Sequence, residues 1–466
     1  MHDELVIDGK QVTGAATLDV INPATGEVFA QCARADAAQV EAAIDAADRA
    51  FPAWAAKPQA ERRALLRELA DRLEGAMGEI ARVLTSEQGK PLAAARGEVM
   101  GAVMILRYYG DLELADELLK EDATCRAYEQ YSPLGVVSAI TPWNYPLLLS
   151  VAKIAPALSA GNTVVLKPAP TTPLTVARLV ALSVGLLPPG VLNLVIDAGD
   201  LGQLLTSDPR VAKISFTGSS KTGARVMESG AASLKRITLE LGGNDAALVL
   251  DDADLDKTAA AVLKAAMGNA GQVCIATKRV YVPEAKYDQF CDKVAELAGK
   301  IVVGNGLEEG TEMGPLQNAA QFERVMGLIE DAAAQGKVIA GGSRTNGNGY
   351  FIAPTIVRDL PDDARLVREE QLGPALPILS YRSVDEVIDR INDSEYGLAG
   401  SVWTSDPERG LAIARRIESG WVWVNTHGVV TFDLPFGGAK HSGMGKEFGM
   451  AGLKEYSQAK TIHVAL

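Results

Sequence analysis

One cysteine, Cys274, lies in the stretch GNAGQVCIAT among small residues that carry no charge. A cysteine attacks a carbonyl as its thiolate and needs a special microenvironment to do so. Otherwise a free thiol packs as a small hydrophobe, and Cys274 by itself reads more readily that way. Glu240 closes the apolar run RITLE ahead of two glycines. A carboxylate there is costly to bury without a partner, so alone it reads as a solvated strand end, and with a nucleophile nearby as a base. Asn144 stands in TPWNYP, in a loop stiffened by two prolines; its ordinary reading is a turn residue. FTGSSKTG sets glycine and two serines at a strand-to-helix turn, where free N–H groups and the helix dipole favour a phosphate. It is not a G-x-G-x-x-G fingerprint, and such turns are common.

Elements must hold these residues together. Residues 36–87 carry Ala, Leu, Arg and Glu with apolar positions at helical spacing, and 89–116 continue in the same texture. RAYEQYSPLGVVSAI is β-prone, and TPWNYPLLLSVAKIAPALSAG is a loop entering a buried helix. The chain then alternates. NTVVLKP, VLNLVI, VAKISFTG and RITLELGG read as strands, and TPLTVARLVALSVGL, LGQLLTSD and SKTGARVMESGAA as helices. A second alternating series begins at NDAALVLDDADLDKTAAAVLKAAM and runs through KRVYVP, ALPILSYRS, AGSVWTSD and GWVWVNT. Strand–helix alternation with Gly and Pro punctuation marks parallel α/β sheets. Two such series predict two open sheets with a ligand cleft between them.

The bulk composition narrows the class. At 466 residues the chain exceeds one ordinary core, and 47% apolar with 22% charged residues is a soluble globular composition. The net charge is −14 with no Lys/Arg block, which argues against nucleic-acid and anionic-membrane partners. The N-terminus is acidic and mixed, unlike a secretory signal, and the longest apolar stretch contains Lys153 and prolines, unlike a membrane span. Cys32, Cys125, Cys274 and Cys291 form no CxxC, and His2, His427, His441 and His463 have no metal-ligand spacing. The expectation is a soluble cytoplasmic protein without a disulfide framework or a metal.

In order along the chain, TPWNYP, GNTVVLKPA, FTGSSKTG, LELGGN, GQVC, EEQLGP and PFGGAKHSGMGKEFG resemble the aldehyde dehydrogenase superfamily, and the resemblance covers nearly the whole sequence. It implies NAD(P)-dependent oxidation of an aldehyde to a carboxylic acid. Cys274 would be the nucleophile, forming a thiohemiacetal and then a thioester. The Asn144 amide and the Cys274 N–H would hold the oxyanion. Glu240 would activate the hydrolytic water. Lys167, counted among the catalytic and the cofactor residues, would bind the adenosine-ribose hydroxyls. Ser219 would take a phosphate and Glu370 the nicotinamide-side ribose. Ile140, Thr141, Trp143, Gly218, Gly223 and Leu372 would also line the cofactor, with Gln321 and Arg324 at the adenosine.

Departures carry information as well. Many NAD-using relatives have a glutamate three residues after the lysine; here it is Pro170. A ribose-binding carboxylate selects against a 2′-phosphate, and Pro170 neither supplies that barrier nor offers a cation. NAD is expected and NADP stays open. Leu372 stands where phenylalanine is common, and Asp245 where lysine is frequent. The loop NTHGVVTFDLPFGG holds no arginine, which a selective site for an acidic semialdehyde would be expected to offer. Gly101, Ala152 and Gly268 are small where relatives are bulky, and Tyr145, Leu148, Leu149, Val430 and Phe436 would supply the wall. A roomy apolar channel for aromatic or medium-chain aldehydes follows. The alternatives are succinate semialdehyde or another small semialdehyde, a CoA-acylating enzyme, a thiol esterase, and a non-catalytic relative.

The architecture implied is α/β, with two open α/β domains and a small β arm. A Rossmann-like cofactor domain would span 1–116 and 134–241, a catalytic domain 242–441, and an oligomerisation arm 117–133 and 452–466. An exposed arm of that kind favours a homodimer or homotetramer.

Overall fold

The short apolar runs of the alternating region, each bounded by Gly or Pro, are buried strands. The structure, a computed structural model, describes residues 3–345 and 347–466; His2 lies outside the described residues. Among the described residues an eight-stranded sheet has the order Lys10–Val12, Leu5–Ile7, Leu192–Leu194, Thr163–Lys167, Val136–Ile140, Val211–Thr217, Arg236–Glu240, Gly443–Met444. The inner strands, from Leu192–Leu194 to Arg236–Glu240, pair in parallel. Chain order runs outward from Val136–Ile140 in one direction, then restarts on its other side with Val211–Thr217. Loops leaving the two neighbouring strands diverge at such a reversal and open a crevice at their carboxyl ends. Those loops carry Asn144 and Ser219.

The second sheet has the order Lys337–Ala340, Thr355–Arg358, Ala375–Tyr381, Thr277–Pro283, Asp245–Val249, Ala399–Trp403, Trp421–Val424. The chain crosses between the sheets within Leu241–Asn244, directly after Glu240. Cys274 occupies the turn just before the central strand Thr277–Pro283.

The helix Pro146–Ala160 is apolar apart from Lys153 and two serines, and nearly its whole length is buried. A helix of that composition belongs in a core, and it packs against Leu92–Asp111. Residues 3–35, which the sequence pattern leaves without elements, form the edge strands Leu5–Ile7 and Lys10–Val12 and the hairpin Ala16–Asn22 with Glu27–Arg34. The β-prone stretch and the chain end meet. Ser457–Ala465 pairs antiparallel with Cys125–Pro133, which in turn pairs with Glu117–Glu121. Among the described residues no helix is long and apolar enough to cross a membrane.

Candidate active site

A cleft of about 420 Å³ opens where the first sheet reverses its chain order and faces the turn at Cys274. It is lined by Pro142, Trp143, Asn144, Thr217, Gly218, Ser219, Ser220, Lys221, Leu241, Gly242, Cys274, Gln321, Arg324, Glu370, Leu372 and Tyr396. Six stretches far apart in sequence thus share one cleft with the Cys274 sulfur.

Cys274 is half-buried and free, whereas Cys32, Cys125 and Cys291 are buried. Burial, followed by the Glu370, Asp245 and Glu240 carboxylates, pushes its thiol up to about 12, with Lys278 opposing. At neutral pH the sulfur therefore rests as a thiol. The backbone leading to it is left-handed at three successive residues, Asn269, Ala270 and Gly271, with φ of +51°, +54° and +71°. For an alanine this costs on the order of 1–3 kcal/mol and persists only where neighbours fix it. Here Lys278 Nζ donates to the Gly271 carbonyl at 2.7 Å, and Asn269 Nδ2 donates to the Asn144 carbonyl at 3.1 Å. A Cβ at Gly271 would lie 2.2 Å from the Gly373 carbonyl oxygen, so only glycine fits.

Asn144 is buried and clamped on both ends. Its carbonyl accepts from Lys90 Nζ at 3.0 Å, and its Nδ2 donates to the Gln272 carbonyl at 3.0 Å. A primary amide has two N–H bonds, so one remains to serve the cleft. Lys90 is fully buried, ion-paired to Glu98, and 3.7 Å above the Tyr145 ring. Glu98 Oε1 also accepts from the backbone N–H groups of Leu147 and Leu148, at 3.0 and 3.2 Å. The pair thus fixes the loop before the buried helix and the helix's first turn together. Sequence reasoning missed both residues; the signal available for Glu98 was a carboxylate set inside the apolar run AAARGEVMGAVMIL.

Glu240 is buried, and neither carboxylate oxygen has a hydrogen-bond partner among the described residues. Burial first, then Glu447, raises its pKa well above the ordinary carboxylate value, while Lys153 and Lys446 pull it down. Lys153 and Glu447 form a buried ion pair at 2.5 Å, a second unit the sequence did not reveal. The Glu240 side chain is not part of the cleft wall; a Cβ at Gly437 would lie 3.2 Å from its Oε1. A carboxylate left bare in this way is set to accept a proton or a water.

Ser219 caps the helix Ser220–Ala231, accepting from the Thr222 N–H, and the exposed ammonium of Lys221 stands beside it on the cleft wall. Glu370 Oε1 accepts from the Gly243 N–H at 3.0 Å, and a Cβ at Gly242 would lie 2.5 Å from its other oxygen. Gln321 and Arg324 line the cleft, and the Gln321 amide and one Arg324 nitrogen, Nη2, are committed to the neighbouring loop. Gln321 Nε2 donates to the Gln371 and Leu372 carbonyls at 2.8 and 2.9 Å, and Arg324 donates to the Glu370 carbonyl at 3.0 Å. They brace a loop whose Leu372 is held at φ +48°. An adenosine contact from the Gln321 amide would require breaking that brace, whereas the exposed Arg324 guanidinium has its Nε and Nη1 donors outside it.

Other expected residues lie off the cleft wall. Ile140 and Thr141 are buried below it, Thr141 Oγ1 bonding Ser150 Oγ at 3.1 Å. Gly223 serves packing: a Cβ there would lie 2.5 Å from the Leu241 side chain. Lys167 Nζ pairs with Asp197 Oδ1 at 2.8 Å. Among the substrate-wall residues, Tyr145, Leu148, Leu149 and Val430 are half-buried, and Phe436 is buried against Trp421 with ring centroids 5.7 Å apart. Two expectations need correcting. Ala152 is sealed in the core, so its small size opens no channel. The space beside Gly101 is already taken, since a Cβ would lie 2.6 Å from Leu148 Cδ1. Gly268 is exposed and faces open space.

A family model described as the aldehyde dehydrogenase family matches residues 11–462. The chain belongs to the aldehyde dehydrogenase family. It is an oxidoreductase acting on aldehydes. It is 40% identical to the glutarate-semialdehyde dehydrogenase of Pseudomonas putida, over 97% of this chain and 95% of that protein. Among solved structures it resembles the NAD+ complex of a Bacillus cereus aldehyde dehydrogenase, with a TM-score of 0.97, 36% identity, and 100% and 97% of the two chains covered. An NADP-dependent enzyme of E. coli is equally close in shape, with a TM-score of 0.97, 37% identity, and 100% and 98% covered.

Proposed function

We propose that the enzyme oxidises an apolar aldehyde to its carboxylic acid, using NAD or NADP, through covalent catalysis at Cys274. The convergence of the Cys274 thiol and the Asn144 amide on one cleft with a capped helix N-terminus carries this reading. The helix N-terminus at Ser219 and the Lys221 ammonium suit a pyrophosphate, and Glu370 suits ribose hydroxyls, so the residues present fit a dinucleotide. When bound, that cofactor supplies the hydride acceptor.

The chain's own residues do the rest. The thiol passes its proton to solvent water, and the thiolate sulfur so formed bonds to the aldehyde carbon as the carbonyl π pair moves onto oxygen. The free Asn144 N–H and the Cys274 backbone N–H stabilise the oxyanion, each such donor being worth roughly 10²–10³ in rate. Glu240, ionised, takes a proton from the water that cleaves the thioester. Lys153 and Glu447 set the proton affinity of Glu240 from opposite directions.

The absence of Lys and Arg from residues 425–438, with Tyr145, Leu148, Leu149 and Val430 half-buried nearby, supports aromatic or medium-chain substrates. The Pseudomonas putida relative supports a dicarboxylic semialdehyde instead. A panel of benzaldehyde, hexanal, succinate semialdehyde and glutarate semialdehyde, each with NAD and NADP, decides between them. Higher kcat/KM for the two apolar aldehydes is expected; preference for a semialdehyde would reverse the substrate reading. No turnover of any aldehyde with either cofactor would remove the proposal altogether.

The β arm exposes Leu118, Leu119, Ile462 and Val464 on its two edge strands. Such edges seek partners. We expect a homodimer or homotetramer, measurable by sedimentation equilibrium.

A further inference from the structure

The strand Thr163–Lys167 ends at Lys167, and the neighbouring strand Leu192–Leu194 leads into a loop that returns a carboxylate to it. Asp197 Oδ1 lies 2.8 Å from Lys167 Nζ, and its Oδ2 accepts from the Leu201 N–H at 2.8 Å. Both Asp197 oxygens are thereby fixed, and the residue has almost no solvent exposure. The same loop carries Asp200, whose carboxylate holds the Arg34 guanidinium at 2.7 Å. Each of these two cations is matched by a carboxylate of the loop. Pro170, where relatives often carry the carboxylate that reads a ribose, contributes nothing.

We propose that Asp197 supplies the discrimination that Pro170 does not, and makes this enzyme selective for NAD over NADP. The inference rests on the reading above that Lys167 binds the adenosine ribose. A ribose 2′-hydroxyl is neutral, and it is compatible with a lysine already neutralised by a carboxylate. A 2′-phosphate carries close to two negative charges, and it would share Lys167 with a fixed carboxylate in a poorly solvated corner. The repulsion is not relieved by rotation of Asp197, because the Leu201 N–H holds it. Arg34 offers no spare charge, since Asp200 occupies it. Carboxylate for 2′-hydroxyl and free cation for 2′-phosphate is the general division between the two cofactors.

Binding can be measured without turnover, by fluorescence titration of NADH and NADPH against wild type, Asp197→Asn and Lys167→Ala. Wild type should bind NADH at least tenfold more tightly than NADPH. Asp197→Asn, of the same shape, should narrow that ratio about tenfold or more, chiefly by tightening NADPH. Asp197→Glu should keep the preference. Lys167→Ala should weaken both ligands. Wild type that binds NADPH as tightly as NADH overturns the inference, as does an unchanged ratio in folded Asp197→Asn when Lys167→Ala does weaken binding. Unchanged binding in Lys167→Ala instead removes the ribose assignment on which the inference rests. Should Asp197→Asn not fold, displacement of NADH from wild type by 5′-ADP and by 2′,5′-ADP gives the same answer. Tighter 5′-ADP supports the role of Asp197, and equal or tighter 2′,5′-ADP contradicts it.

Discussion

Lys90 Nζ donates to the backbone carbonyl of Asn144 at 3.0 Å while paired to Glu98, and both charged side chains are withdrawn from solvent. The interaction ties the proposed oxyanion donor to a buried ion pair that also fixes the first turn of the next helix. Removing one partner leaves an uncompensated buried charge, which typically costs about 3–5 kcal/mol, whereas removing both is often close to neutral. Lys90→Met and Glu98→Gln should therefore each lower the unfolding midpoint, and the double variant should recover much of it. The double variant should still lose kcat by at least about tenfold, with the KM for cofactor little changed. Recovery of kcat along with stability would show that the pair is structural only.

Asn144→Ala should lower kcat by roughly 10²–10³, the usual loss for one oxyanion donor. The protein should keep its unfolding midpoint within about 1–2 kcal/mol, since a neutral hydrogen bond to Gln272 is what the fold loses. Stopped-flow measurement should place the loss in the step that reduces the cofactor.

Glu240 gives a pH dependence of definite sign. Its pKa is raised by burial, and only the ionised form serves as base, so steady-state turnover should fall as pH drops through that raised value. Lys153 draws the pKa down. In Lys153→Met the acidic limb of the kcat profile should therefore move to higher pH. A limb that stays in place, or moves down, would remove Lys153 from the account of the base.

Asp245 is buried with its pKa raised to about 8, chiefly by desolvation. A group whose proton is held more tightly in the folded than in the unfolded state destabilises the fold as pH rises from the unfolded pKa towards the folded one. Urea unfolding should show Asp245→Asn gaining stability on wild type between about pH 5 and pH 8. The amide keeps an acceptor for the Ala399 N–H, so the gain should not be offset by a lost bond.

Much of this was legible in the sequence, and the parts that were not share a cause. The strands from Val136 to Val249 announce themselves as short apolar runs between glycines and prolines, and the motif order marks Cys274, Asn144 and Glu370 as members of one cleft. Lys90, Glu98, Lys153 and Glu447 were invisible because their meaning lies in pairing. A charged residue in an apolar helix looks like a defect until its partner, 8 residues away for Glu98 and 294 for Lys153, is brought beside it. Gln321 and Arg324 were recognisable as cleft residues, but which donors the loop at Leu372 consumes depends on backbone geometry. The strands before residue 36 expose apolar Ile21, Val28 and Phe29 beside polar residues, so apolar and buried positions do not coincide and no clean alternation can be read.

Leu148 Cδ1 fills the space that Gly101 would otherwise leave open. Leu148→Ala should therefore lower the KM for bulky aromatic aldehydes and raise it for propanal, by about 1–3 kcal/mol of binding in each direction at most. Gly101→Ala, which forces the same leucine to move, should raise the KM for benzaldehyde.

Trapping the covalent intermediate tests the central claim most directly. Glu240→Gln, mixed with a good aldehyde substrate and cofactor and quenched in acid, should show one acyl group per chain by mass spectrometry. Peptide mapping should place it on Cys274, with one equivalent of reduced cofactor formed and slow release thereafter. Wild-type turnover with no acyl group on Cys274 in this variant, or an acyl group on another residue, would contradict the account.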